Sequence, residues 1–176
     1  MQATKNIEYA IERLKQANKT SMSPAIYALW GSAIVLAYLL TMTTSIAMNN
    51  YWLVVMPIGI VLSILLGIRH NNNIGQENKS FGISSALHFS IMGGFYLVAS
   101  LGVDPASGLL IVAFAYCLGA IHIDKFMSIF GVCALVSYVC IATNWIQSGY
   151  VIGGILASGL FATAIASSIC QKRTEG

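Results

Sequence analysis

Residues 24–47 read PAIYALWGSAIVLAYLLTMTTSIA, from Pro24 to Ala47, without a single charge. Leu, Ile, Val, Ala, Met and aromatic side chains dominate the run. A helix needs roughly 20 apolar residues to cross a hydrocarbon layer about 30 Å thick, and this stretch is long enough to do so with some tilt. In a water-soluble domain it would have to be a core helix buried on every side. Apolar runs recur at about 51–68, 81–101, 106–121, 125–143 and 150–170, which removes that alternative. The expected fold is an all-α integral membrane protein, a bundle of about six transmembrane helices (24–170) preceded by an amphipathic cytoplasmic helix.

The composition points the same way. Of 176 residues, 57% are hydrophobic and 9% charged, against about 25% charged in an ordinary soluble domain. The mean hydropathy of +0.75 does not suit water as the solvent for most of the surface. The length accommodates one helical membrane domain and no second folded domain. The net charge of +3 is not read as affinity for nucleic acid, because the charges sort by position. Cys117, Cys133, Cys140 and Cys170 all fall within predicted helices, form no C-x-x-C pair, and read as free buried thiols. Residues 3–20, ATKNIEYAIERLKQANKT, are charged throughout. A cleavable signal peptide would need an apolar stretch there, so none is expected.

Residues 1–23 form the first unit. Ile7, Ala10, Ile11, Leu14 and Ala17 recur at helical spacing, while Lys5, Glu8, Glu12, Arg13 and Lys15 take the other face. Such a helix can lie on the membrane surface, pack under the bundle or against a second copy, or dock a soluble partner. Ser21 and Ser23 are N-cap candidates, and Pro24 suits a first helical turn. Asn49 and Asn50 make a short turn, and Pro57 beside Gly59 predicts a kink in the second span. Residues 69–80, RHNNNIGQENKS, read as the longest polar loop, 102–105, 122–125 and 144–149 as tighter connections, and 171–176, QKRTEG, as a cytoplasmic tail.

Every Lys and Arg lies before the first span, between the second and third, between the fourth and fifth, or after the sixth. The other three connections carry none, so both termini and the 69–80 loop are expected in the cytoplasm. Tyr51, Trp52, Trp145 and Tyr150 cluster at the opposite interface.

Helices in lipid associate through small residues. Gly153, Gly154, Ser158 and Gly159 in the sixth span are the best packing stripe, serving either the bundle interior or a homo-oligomer seam. Ionisable groups at membrane depth are the usual functional pointers, and His88 in the third span is the clear case. It is either satisfied by a neighbouring hydroxyl or acts as a proton or ligand site. Ser32 and Thr41 in the first span, with Ser84 and Ser85 in the third, are further ligand or pore candidates, although hydroxyls also bond back to their own helix. No metal site is expected; the nearest to one would combine His88, Cys117 and Cys133, whose spacing is not diagnostic. His122, Asp124 and Lys125 sit at the inner boundary, where snorkelling to water is the default. Without G-x-S-x-G, H-E-x-x-H or paired acids in any span, no enzyme and no cofactor are expected.

Tyr27, Trp30 and Gly31, following an I-E-x-x-x-x-R helix, and Tyr51, Trp52, Pro57 and Gly59 in the second span resemble a group of uncharacterised bacterial six-helix inner-membrane proteins with a charged N-terminal helix. The resemblance covers most of the chain and implies a bacterial inner (plasma) membrane. Ser23, Pro24, Ala25, Leu29 and Gly31, with Ser80, Phe81 and Gly82, are also similar to acetate-transporter-type proteins, a pattern from which later spans depart.

Two functions follow. In one, a homo-oligomer binds a small neutral or weakly acidic solute or gives it a passive path lined by His88 and the hydroxyls. In the other, a non-transporting partner or sensor subunit engages another protein through its N-terminal helix and the 69–80 loop. The partners expected are the lipid bilayer and a second copy or a protein subunit, with no nucleic acid.

Overall fold

The computed structural model describes residues 22–74, 105–122, 124–146 and 148–175, together with Ile7. Among the described residues the chain is all helical, with no strand. The helices are α1 (Pro24–Thr43), α2 (Met48–Ile74), α3 (Pro105–His122), α4 (Met127–Ala142) and α5 (Gly149–Glu175). Among the described residues five helices stand, where the sequence reading of the whole chain has six spans and an N-terminal helix. The span expected at 81–101 lies outside the described residues, as does the N-terminal helix apart from Ile7. Among the described residues three segments are long and apolar enough to cross a membrane: Pro24–Thr43, Asn50–His70 and Gly149–Lys172. The apolar parts of α3 and α4, Ser107–Ile121 and Met127–Ala142, are shorter.

Local chemistry sets the helix ends. Pro24 occupies the first turn of α1, where a missing N–H removes no bond. Ser23 before it has the extended backbone of an N-cap, but its side chain makes no capping bond. Its carbonyl instead accepts the Ile26 N–H at 3.0 Å. At the other end, the Thr43 and Thr44 hydroxyls donate to the Leu39 and Leu40 carbonyls at 2.8 and 2.6 Å. The Leu40 carbonyl also accepts the Thr44 main-chain N–H at 2.8 Å, so the hydroxyls bond back one turn as second donors to carbonyls of their own helix. Thr44 turns extended and α1 stops there, four residues short of the apolar run's end at Ala47.

α2 continues through Arg69 and His70 to Ile74, into the stretch read as loop. No Gly or Pro interrupts that polar run before Gly75. α4 closes with a Schellman motif: the Asn144 N–H donates to the Ile141 carbonyl at 3.0 Å and the Trp145 N–H to Cys140 at 2.9 Å. Asn144 itself sits at φ 54°, a left-handed conformation that Asn tolerates better than most residues.

The helices pack in the spatial order α3, α4, α5, α1, α2. The central core comes from Ile26, Tyr27, Trp30 and Ala33 of α1, Tyr116 of α3, Phe130 of α4 and Leu160 of α5, among others. Trp30 reaches α2, donating Nε1–H to the Ser63 hydroxyl at 3.0 Å, while its ring fills the notch at Gly59, where a Cβ would approach to 2.9 Å. The Tyr51 hydroxyl donates to the Ala33 carbonyl at 2.7 Å. The outward faces are apolar: Leu53, Val54, Ile58, Val61 and Leu65 on α2, Phe114 and Leu118 on α3, and Ile165 and Ile169 on α5 are all exposed. Such extended apolar surface is unusual in a water-soluble monomer and suits contact with acyl chains.

One end of this bundle carries Arg69 and His70 at the end of α2, Lys125 in the α3–α4 turn and Lys172 in the last turns of α5. Gln171 Nε2 and His70 Nε2 lie 3.4 Å apart there, joining α5 to α2. This basic end also holds the site described next.

Candidate functional site

Five polar residues are buried among those described: Ser23, Asp124, Ser137, Thr163 and Ser167. Two of them explain themselves. Ser137 Oγ donates to the Cys133 carbonyl and Thr163 Oγ1 to the Gly159 carbonyl, each at 2.8 Å and one turn back on its own helix. Ser23, Asp124 and Ser167 remain, and all belong to the basic end.

Asp124 is the centre of this group. It follows the last turn of α3, its N–H donating to the Gly119 carbonyl at 3.2 Å, and precedes α4, its carbonyl accepting the Met127 N–H at 2.9 Å. Oδ1 accepts the Phe126 N–H at 3.0 Å, an Asx turn that covers one of the unpaired donors at the start of α4. Oδ2 accepts the Tyr27 hydroxyl of α1 at 3.2 Å. Asp124 is 3% exposed and Tyr27 1%. A carboxylate so enclosed loses its hydration, which disfavours the charged form. Burial accordingly pushes the Asp124 carboxyl above the ordinary aspartate range, opposed by the Phe126 N–H, the Tyr27 hydroxyl, the Lys125 ammonium and His70. Lys125 is itself exposed, and its ammonium stands 5.3 Å from the centre of the Phe126 ring. The two neighbours therefore divide: Lys125 is exposed, while Asp124 turns inward, where two donors, one main-chain and one phenolic, meet it.

The residues singled out from sequence are placed as follows. His88, Ser84 and Ser85 lie outside the described residues. Ser32 is exposed on α1. Thr41 is half-buried and donates its hydroxyl to the Tyr38 carbonyl at 3.0 Å. Nine residues apart at about 100° each, Ser32 and Thr41 lie on opposite faces of α1 and line no common path. Cys117 and Cys133 are free thiols, and each lodges in a glycine notch on the next helix. A Cβ at Gly131 would stand 2.8 Å from Cys117 Sγ, and one at Gly159 would stand 2.8 Å from Cys133 Sγ. The two thiols thus fill successive interfaces, α3–α4 and α4–α5. Among the described residues no group of three or more His, Cys, Asp or Glu side chains could hold a metal.

The small-residue stripe of α5 also divides. Gly153 is buried where the Tyr38 ring crosses it, and Gly159 is buried against Cys133. Gly154 and Ser158 are exposed, and a Cβ at Gly154 would meet nothing within 4 Å. The stripe thus serves both the bundle interior and an outward face.

Sequence reading missed the Tyr27–Asp124 pair because the partners are 97 residues apart and belong to no motif. The local hint was an Asp three residues before a helix start, where Asp commonly bonds the main chain. As for known proteins, the chain matches no protein-family model, no curated protein and no solved structure.

Proposed function

We propose that this chain is a multi-pass protein of a bacterial inner membrane, with six spans and both termini cytoplasmic. In this reading it acts as a homo-oligomer that binds a small solute and gives it passive passage, with no enzymatic step and no cofactor. The observation that supports the reading is the enclosed carboxyl of Asp124 with its Tyr27 donor, inside a bundle whose other buried polar residues, among those described, are serines and a threonine. An ionisable group enclosed at the end of an apolar helical bundle is a default pointer to function. His88 stays assigned to the path from the third span, and the outward face at Gly154 and Ser158 to the seam between copies.

Flux of small neutral solutes and weak acids into proteoliposomes tests this. Passage faster than in protein-free liposomes, and reduced by His88→Ala or Asp124→Asn, is the expected result. Rates equal to protein-free liposomes across the whole solute series would sink the transport reading. Full flux in both variants would remove the residues assigned to it.

A further inference from the structure

We propose that Asp124 is a proton-binding site at the basic end of the bundle, where it latches α1 to the α3–α4 turn through Tyr27. The geometry is what makes a reversible proton site. Ionised, the carboxylate accepts two hydrogen bonds, from the Phe126 N–H at Oδ1 and from the Tyr27 hydroxyl at Oδ2. A phenol is both donor and acceptor. When the carboxylate takes a proton from water at the basic end, Oδ1 keeps the Phe126 bond and the new Oδ2–H donates to Tyr27 Oη. The bond between α1 and the turn survives with its polarity reversed, and no acceptor on the carboxyl is left unmade. A proton is the only species gained or lost.

Reversal frees the Tyr27 hydroxyl proton to seek another acceptor, and the bundle carries one at that level. The Ser167 Oγ is fully buried and has no hydrogen-bond partner. Gly31 faces Phe161 and Gly153 faces Tyr38 across the antiparallel α1–α5 pair. That register places Ser167 within about one turn of Tyr27 in height.

The charges around the carboxyl are few. Among the described residues, Tyr27 faces it from α1, with Tyr116 of α3 behind, Lys125 from the turn itself and His70 from α2. From α5 the same level holds Ser167 and Gln171, both uncharged, and the next charge is the exposed Lys172. The raised proton affinity of the buried carboxyl agrees with this arrangement. The inference does not depend on any solute crossing the membrane.

Infrared difference spectra of the full chain in lipid, titrated with pH, read the site directly. A protonated buried carboxyl is expected in the wild type, titrating above the ordinary aspartate midpoint and missing from Asp124→Asn. Tyr27→Phe keeps the carboxyl and removes a bond that is charge-assisted, hence about twice as strong, in the ionised form as in the protonated one, so the charged form loses more. Its midpoint is expected to rise by roughly one pH unit, a tenfold gain in proton affinity. An Asp124-dependent band titrating in the ordinary range, or the absence of such a band, would overturn the proposal. So would an unchanged midpoint in Tyr27→Phe, which also covers the case in which Asp124→Asn does not fold. Proteoliposome flux does not enter this result, so either reading can fail alone.

Discussion

Adding one methyl group to Gly131 and one to Gly154 should move stability in opposite directions. At Gly131 the new Cβ would stand 2.8 Å from Cys117 Sγ, 3.2 Å from the Cys117 nitrogen and 3.3 Å from the Ala113 carbonyl oxygen. A cysteine sulfur has one torsion with which to retreat, and the two main-chain atoms cannot move unless α3 and α4 part by a few tenths of an ångström. Overpacking of that kind costs about 1–3 kcal/mol. Replacing Gly by Ala within a helix returns up to about 1 kcal/mol, less where the unfolded reference in detergent stays helical. Gly131→Ala should therefore lose about 1–2 kcal/mol net. At Gly154 no atom lies within 4 Å of the added Cβ, so only the helix term acts. Gly154→Ala should be neutral or gain up to about 1 kcal/mol in the monomer. Reversible unfolding in mixed micelles, each variant beside the parent protein, measures the difference. If Gly131→Ala is as stable as Gly154→Ala, the close approach of α3 and α4 at Gly131 is not real and the packing argument fails.

Two further outcomes follow from single residues. Asn144→Val places a β-branched side chain at φ 54° and should lower stability by about 1–2 kcal/mol, whereas Asn144→Gly should be tolerated; the same unfolding assay compares them. The raised proton affinity of Asp124 in the folded chain also makes stability depend on pH. Because the folded carboxyl holds its proton more tightly than the unfolded one, this contribution is fully present below the unfolded value of about 3.9. It is lost as pH rises through the folded value. Melting curves across that window should slope downward with pH in the wild type, and the Asp124 part of the slope should vanish in Asp124→Asn.

The helical class was legible in the residues because of what lipid demands. A segment crossing hydrocarbon must satisfy its own main chain, so long uncharged runs such as 24–47 can only be helices. Where a helix stops was less legible. α1 ends where Thr44 turns extended although the apolar run continues to Ala47, and α2 runs on to Ile74 through polar residues that carry no Gly or Pro.

What no linear pattern could carry was which side of each helix faces inward. A helix that is apolar all round has no polar face to mark its outside, so adjacent residues such as Gly153 and Gly154 look alike in the chain. Only the position of Tyr38 separates them. The same holds for Cys117 and Cys133, which read as candidate metal ligands and pack instead as wedges in two different interfaces. Asp124 shows the reason most plainly. Its neighbours in sequence favour an exposed boundary charge, and its burial is decided by Tyr27, brought to it from 97 residues away by the packing of α1 against the rest of the bundle. Composition and run length determine that the chain is helical and apolar. The inward faces, and with them the enclosure of Asp124, are decided by tertiary contacts, because in an apolar environment those contacts alone distinguish one side of a helix from another.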